Sequence, residues 1–168
     1  MKRMIRRRMD IMLNISFDCR DGYEFGQELK EKIQEYLERT LQEDGIPEEV
    51  QVEVSFSCVT PEEIQVLNRD YRQKDASTDV LSFPQVIFED GIIEIEEDMP
   101  LFLGDIILNT KQAKKQAQEY NNTLEHEICY LSVHSLLHLL GYDHIEPEDK
   151  LIMRALEKKI MGEQVETV

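Results

Sequence analysis

The chain has 168 residues, 41% hydrophobic and 32% charged, which fits one soluble globular domain able to bury roughly 70% of its unfolded surface. Three scattered cysteines (Cys19, Cys58, Cys129), no run near the roughly 18 apolar residues of a membrane span and no apolar leader point to a reducing, cytoplasmic setting. The formal net charge of −16 argues against bulk attraction to polyanions.

Residues 1–11 run against that charge, with Lys2, Arg3, Arg6, Arg7 and Arg8 opposed only by Asp10, and leave 14 basic against 34 acidic residues, a net of −20, for residues 12–168. They read as a disordered basic extension, with Met1, Met9 and Met12 all available as starts; residues 12–168 read as a single domain. Within it, Met12 to Phe17 alternates apolar and polar residues as a strand does. From Tyr23 to Leu41, Phe25, Leu29, Ile33, Tyr36, Leu37 and Leu41 recur at helical spacing, and Gly45-Ile46-Pro47 closes that helix. Val50 to Phe56 alternates strictly and predicts a second strand. Thr60-Pro61-Glu62-Glu63 is a helix start, with a capping hydroxyl, a proline at the first position and a glutamate at the third, and the helix runs to about Asp70.

Tyr71 to Asp79 then reads as a polar loop containing Arg72, followed by a strand from Val80 through Pro84 to Phe88. Glu89 to Met99 is acidic, with Ile92, Ile93 and Ile95 as a possible hairpin strand. Phe102 to Leu108 predicts a largely apolar buried strand in which Gly104 marks a bulge or a close approach. Thr110 to Tyr120 is a polar helix presenting Lys111, Lys114 and Lys115 to solvent. Asn122 and Glu125 are spaced as a capping box for the next helix, which is apolar almost all round and therefore central. A last helix starts at Glu146-Pro147-Glu148, with Leu151, Ile152, Ala155, Leu156 and Ile160 expected inward.

The chemistry concentrates in residues 134–144, which hold three of the four histidines. His134 and His138 are four apart on the central helix, so their imidazoles share one face. Gly141 allows the chain to leave the helix and return His144 to the same point. Three neutral imidazoles without a fourth protein ligand describe a catalytic zinc site, with one position left for water whose pKa falls to about 7. His126, eight residues before His134, is too far along the axis to join it. Asp143, beside His144, is a candidate to orient a ligand.

These residues carry a resemblance. His134-Ser-Leu-Leu-His138-Leu-Leu-Gly141-Tyr142-Asp143-His144, with Leu67-Asn68, Tyr71-Arg72, Asp75, Thr78-Asp79-Val80-Leu81-Ser82-Phe83-Pro84 and Leu103-Gly104-Asp105-Ile106, resembles the YbeY family of bacterial rRNA maturation factors over roughly residues 12–161. The resemblance implies a compact single α+β domain, a mixed four-stranded sheet with about five helices, and a zincin-like site on the central helix holding one zinc ion on His134, His138 and His144. It also implies single-strand-specific endoribonuclease activity in maturation of the 16S rRNA 3′ end and in ribosome quality control. Arg72 and His134 fall on its catalytic positions, and its partners are rRNA and small-subunit ribosomal proteins or ribosome-associated factors, with no membrane. Two departures are visible: Ser135 stands where the family has glycine, and the basic extension lies outside the family pattern.

In the mechanism this implies, Arg72 clamps a phosphate oxygen bidentately and stabilises charge in the transition state. Zincin peptidases place a glutamate base directly after the first histidine, where this chain has Ser135, so a metallopeptidase is disfavoured. A ribosome-associated zinc-binding factor without catalysis is the remaining alternative, and the acidic composition is consistent with it.

Overall fold

The computed structural model describes residues 12–86 and 98–162. In chain order these form β1 (Met12–Cys19), α1 (Gln27–Asp44), β2 (Gln51–Val59), α2 (Pro61–Arg72), β3 (Val80–Pro84), β4 (Leu101–Asn109), α3 (Thr110–Glu119), α4 (Leu124–Leu139) and α5 (Pro147–Met161). The strands make one mixed sheet in the order β1-β2-β4-β3: β1, β2 and β4 run parallel, and β3 is antiparallel to β4. Residues 1–11 and the Phe88 and Ile92–Ile95 strand expectations lie outside the described residues.

Alternation explains the sheet's two sides. Along β1, Leu13 is buried while Met12, Asn14, Ser16 and Asp18 face solvent. Val52, Val54 and Phe56 of β2 and Ile106 and Leu108 of β4 enter the main core with Ile33, Leu37 and Leu41 of α1 and most of α4. Leu81 and Phe83 of β3 and Ile107 of β4 form a second cluster with Val59 and with Ile64 and Leu67 of α2. α4 is nearly encircled: Ile128, Leu131, Val133, Leu136, Leu137 and Leu139 are all buried, as its apolar composition requires.

Several boundaries differ from those the sequence predicts. α1 begins at Gln27, not Tyr23: the Tyr23 amide donates to the Asp21 carboxylate (3.0 Å) in a local turn, Phe25 packs inward against Phe17 and Phe56, and Gly26 is still extended at ψ 159°. It runs on to Asp44 and ends where Gly45 takes φ 82° and the Ile46 amide bonds back to Leu41 O. β3 stops at Pro84, although the Gln85 amide still reaches Leu103 O at 2.9 Å. The cap of α4 is Thr123, whose hydroxyl accepts from the His126 amide at 3.1 Å, one residue later than the predicted Asn122–Glu125 box.

In α5 the inward stripe is Met153, Glu157, Ile160 and Met161 with Leu156 half-buried, whereas Leu151 and Ile152 are 70% and 53% exposed and Ala155 also faces water. Gly104 fulfils its expectation. The β2–β4 register slips between Glu53 and Val54, Gly104 adopts φ 143°, and a Cβ built there would fall on the carbonyl oxygen of Phe83.

Candidate metal centre

α4 and the turn after it build the site. His134 and His138 lie one turn apart, and their Nε2 atoms approach to 3.2 Å. The helix then closes in a Schellman arrangement: the Gly141 amide bonds to His138 O and the Tyr142 amide to Leu137 O, both at 3.0 Å, with Gly141 at φ 97°. This reversal sets the His144 ring 4.9 Å from that of His138 and 5.6 Å from that of His134, centroid to centroid. One nitrogen from each of the three can be chosen so that all lie within 4.8 Å of one another.

Each helical imidazole is oriented through its other nitrogen. His134 Nδ1–H donates to Glu157 Oε1 on α5 at 2.5 Å, and His138 Nδ1–H donates to the Tyr142 carbonyl at 2.9 Å. A carboxylate and a carbonyl only accept here, so both protons belong on Nδ1 and both Nε2 lone pairs face the site. Two lone pairs converging at this distance repel each other, and a cation between them turns that repulsion into attraction. Tetrahedral zinc with bonds of about 2.0–2.1 Å sets neighbouring nitrogens about 3.3 Å apart, close to the separation found. The donor set therefore fits a divalent metal ion, with neutral imidazoles as its ligands. His138 is suited to this, because burial, then the neighbouring His134 and His144 rings, lower its pKa to about 4.

The carboxylate of Glu157 is 5% exposed as a residue and accepts a second hydrogen bond from Tyr130 Oη–H at 2.8 Å. Burial pushes its pKa up, but the bonds from His134 and Tyr130 and the nearby Arg154 outweigh this and hold it below the usual carboxylate range. Tyr142 is tied down in turn, its hydroxyl donating to Asp44 Oδ1 at the end of α1 (2.8 Å). Burial foremost, and the Asp44 carboxylate next, raise the Tyr142 phenol to about 12. Asp143, the predicted orienting carboxylate, instead accepts from the Ile145 amide at 3.2 Å and shapes the turn. Glu157 occupies the orienting position.

Arg72 is brought to the same place, on the last turn of α2 and not in a loop, because the helix continues until Gln73 caps it at φ 57°. Its Nη2 donates to the Ser82 carbonyl at 2.5 Å and its guanidinium lies 5.8 Å from the centre of the Phe83 ring. Arg72, Lys74, Asn68, Thr78, Asp79 and Asp143 line a cleft of about 450 Å³ with the three histidines. Ser135 is fully buried, its Oγ 2.5 Å from the Oγ of Ser82. It cannot serve the cleft as a base. His126 stays outside the histidine cluster, as expected.

Glu157, Asp44 and Lys74 are site residues that the sequence reading did not name. Only Glu157 left a local signal: an acidic residue four after Met153 and three before Ile160 sits on what is otherwise an apolar stripe.

The chain is similar to known proteins in sequence and in fold. The family model described as Endoribonuclease YbeY matches residues 16–164. A protein named Endoribonuclease YbeY from Oceanobacillus iheyensis is 47% identical over 132 residues, 78% of this chain and 84% of its own. One of the same name from Caldanaerobacter subterraneus subsp. tengcongensis is 44% identical over 155 residues, 89% and 96% of the two chains. A solution structure of a Thermotoga maritima protein superposes with a TM-score of 0.53 at 29% identity, covering 90% of each chain. With the family match spanning nearly all the described residues and such relatives aligned along most of their length, the chain belongs to the YbeY endoribonuclease family.

Proposed function

We propose that this chain is a zinc-dependent, single-strand-specific endoribonuclease acting in rRNA processing, at the 3′ end of 16S rRNA and in ribosome quality control. The observation that carries the reading is the convergence of His134, His138 and His144 in one cleft with Arg72. In it, His134, His138 and His144 hold one zinc ion per chain. When bound, the ion supplies a Lewis acid that acidifies water and polarises a phosphoryl oxygen.

The chain's own residues do the rest. Glu157 and the Tyr142 carbonyl hold the Nδ1 protons of His134 and His138, so each ring presents a lone pair and neither rotates away. Arg72 is the catalytic cation. One of its five N–H groups is spent on Ser82 O, which fixes the plane of the guanidinium and leaves the others to grip a non-bridging phosphate oxygen as charge builds there. Lys74, on the same wall, adds a second cation for the phosphate backbone. Ser135 stands where a zincin peptidase has its glutamate base, which disfavours peptidase chemistry.

The partners proposed are rRNA and small-subunit ribosomal proteins or ribosome-associated factors, in the cytoplasm. No helix among the described residues is long and apolar enough to cross a membrane. The net charge of −16 favours a protein partner that brings the enzyme to RNA, and it is also the observation that favours a non-catalytic binding factor as second reading.

The test is cleavage of an end-labelled RNA spanning the 3′ end of precursor 16S rRNA. Zinc-loaded protein, chelator-treated protein and His138→Ala are compared in one purification series. Cleavage only by the zinc-loaded wild type is expected. Absence of cleavage by zinc-loaded wild type would leave the binding-factor reading standing.

A further inference from the structure

The histidine cleft does not end at Arg72. Its wall of Arg72, Lys74, Ser82 and Pro84 is shared with a larger open cleft of about 820 Å³, floored by Leu67, Phe83 and Ile107 and bordered by Tyr71 and Gln85. Apart from the shared Arg72 and Lys74, the lining residues of the second cleft neither hold the metal nor grip the scissile phosphate.

Tyr71 is its unusual member. The ring is 68% exposed on the last turn of α2, yet it is not loose. It meets Phe83 in a T-shaped contact, centroids 5.4 Å apart and planes at 61°. Phe83 is itself packed into the α2–β3–β4 cluster and covered by the Arg72 guanidinium. An aromatic ring braced in this way keeps its orientation while leaving surface open. Beside it stand Arg72 and Lys74, neither with a carboxylate ion-pair partner among the described residues, in a chain with 35 acidic side chains. A fixed open aromatic ring flanked by unpaired cations is how single-stranded nucleic acid is held: bases stack on the ring while the cations track the phosphates.

We infer that Tyr71, braced by Phe83, is a stacking platform for one unpaired base of the RNA strand, adjacent to the nucleotide whose phosphate is gripped at the histidine cleft. This rests on the ribonuclease reading above and gives it a physical source of strand selectivity. A base inside a duplex has both faces covered by its neighbours, so Tyr71 can engage only a strand that is single at that point. Duplex RNA is left with the phosphate contacts alone.

The test is an anisotropy titration of zinc-loaded full-length protein with a short labelled single-stranded RNA and with a duplex of the same sequence, at one salt concentration. Wild type, Tyr71→Ala and Tyr71→Phe are compared, and the same preparations are assayed for cleavage of the single strand. Because Tyr71 is exposed, its truncation leaves the core intact. Tyr71→Ala is expected to weaken single-strand binding about tenfold, within the range for loss of one stacked base, and Tyr71→Phe to stay within about twofold. Duplex binding should not change. An abasic ribose at one position should reproduce the loss in wild type and add nothing in Tyr71→Ala.

Unchanged single-strand binding by Tyr71→Ala, or equal loss for single strand and duplex, would overturn the platform while leaving any observed cleavage to support the ribonuclease reading. The expected binding pattern without cleavage would keep the platform and sink the ribonuclease reading. Failure of the wild type to bind either RNA would sink both.

Discussion

Replacing Glu157 by glutamine separates the charge of this residue from its shape. In the native chain its two oxygens accept from His134 Nδ1–H at 2.5 Å and from Tyr130 Oη–H at 2.8 Å. The amide oxygen can still accept from His134, while its NH2 group can donate to a Tyr130 hydroxyl turned to accept, so no buried group is orphaned. Stability should therefore change little. What is lost is the negative charge that fixes and enriches the imidazole, and loss of such a partner costs about 10- to 100-fold in metal affinity, or about 1.4–2.7 kcal/mol. Glu157→Ala is a different perturbation, because it strands two donors at a buried position and should also cost about 1–3 kcal/mol of folding stability. Competition with a chromophoric chelator gives the zinc affinity, and a thermal melt of the metal-free protein gives the stability. Wild-type zinc affinity in Glu157→Gln would refute the claim that this carboxylate prepares His134 for the metal.

Arg72→Lys keeps a positive charge but loses the planar fork, and turnover of RNA should fall on the order of 100-fold with zinc stoichiometry unchanged; an equal fall in bound zinc would show the residue to be structural. Gly104→Ala forces a side chain into φ 143° and onto the Phe83 carbonyl, so β3 must shift. A loss of about 3 kcal/mol or more is expected, read as a fall of roughly 10 °C in Tm. Glu127 is buried and its pKa is raised, first by burial, although Gln116 Nε2–H and His126 pull it down. Because the folded state then binds its proton more tightly than the unfolded chain, this group costs stability above its folded pKa, and the cost disappears as pH falls below the unfolded value. Glu127→Gln should accordingly raise Tm at neutral pH, with the advantage shrinking in acid; a pH-independent difference would contradict the assignment. Chelating the metal from protein equilibrated with free zinc at about 100 times the dissociation constant should remove about 2.7 kcal/mol, visible as a lower Tm restored by added zinc.

The legible and illegible parts of the fold divide by range. Whatever depended on neighbours within a turn could be read. Alternation located β1 and β2, and Thr60-Pro61 placed the start of α2, where Thr60 Oγ1 does accept from the Glu63 amide. The His134–His138 spacing and the reversal at Gly141 gave the site itself. What failed was decided by competing local chemistry or distant partners. Tyr23 and Phe25 fit the helical period of α1, but the chain stays extended through Gly26 (φ −65°, ψ 159°), and Phe25 is drawn inward against Phe17 and Phe56 instead. In α5, treating glutamate as an outward residue shifted the inward face onto Leu151 and Ile152, because nothing within a few residues of Glu157 reveals that it answers His134, 23 positions earlier. The Asp44–Tyr142 bond spans 98 positions and joins two elements that share no sequence pattern. Lys74 and Arg72 reached the cleft only because α2 continued one half-turn beyond its predicted end.

These long-range bonds also sort the three histidines by how firmly they are held. His134 is clamped from α5 by Glu157, and His138 from the turn by Tyr142, itself anchored to α1 through Asp44. Positioning both rings thus draws on three helices, and the lone pairs they aim at one point are already converged before a metal arrives. His144 differs: it is exposed, and its ring makes no side-chain or backbone hydrogen bond among the described residues. His134 and His138 would thus set where an ion sits, and His144 would complete the site from its exposed side. The arrangement places the rigidity on the buried side of the cleft and the adaptability on the side open to solvent. That is the side from which a polynucleotide has to enter.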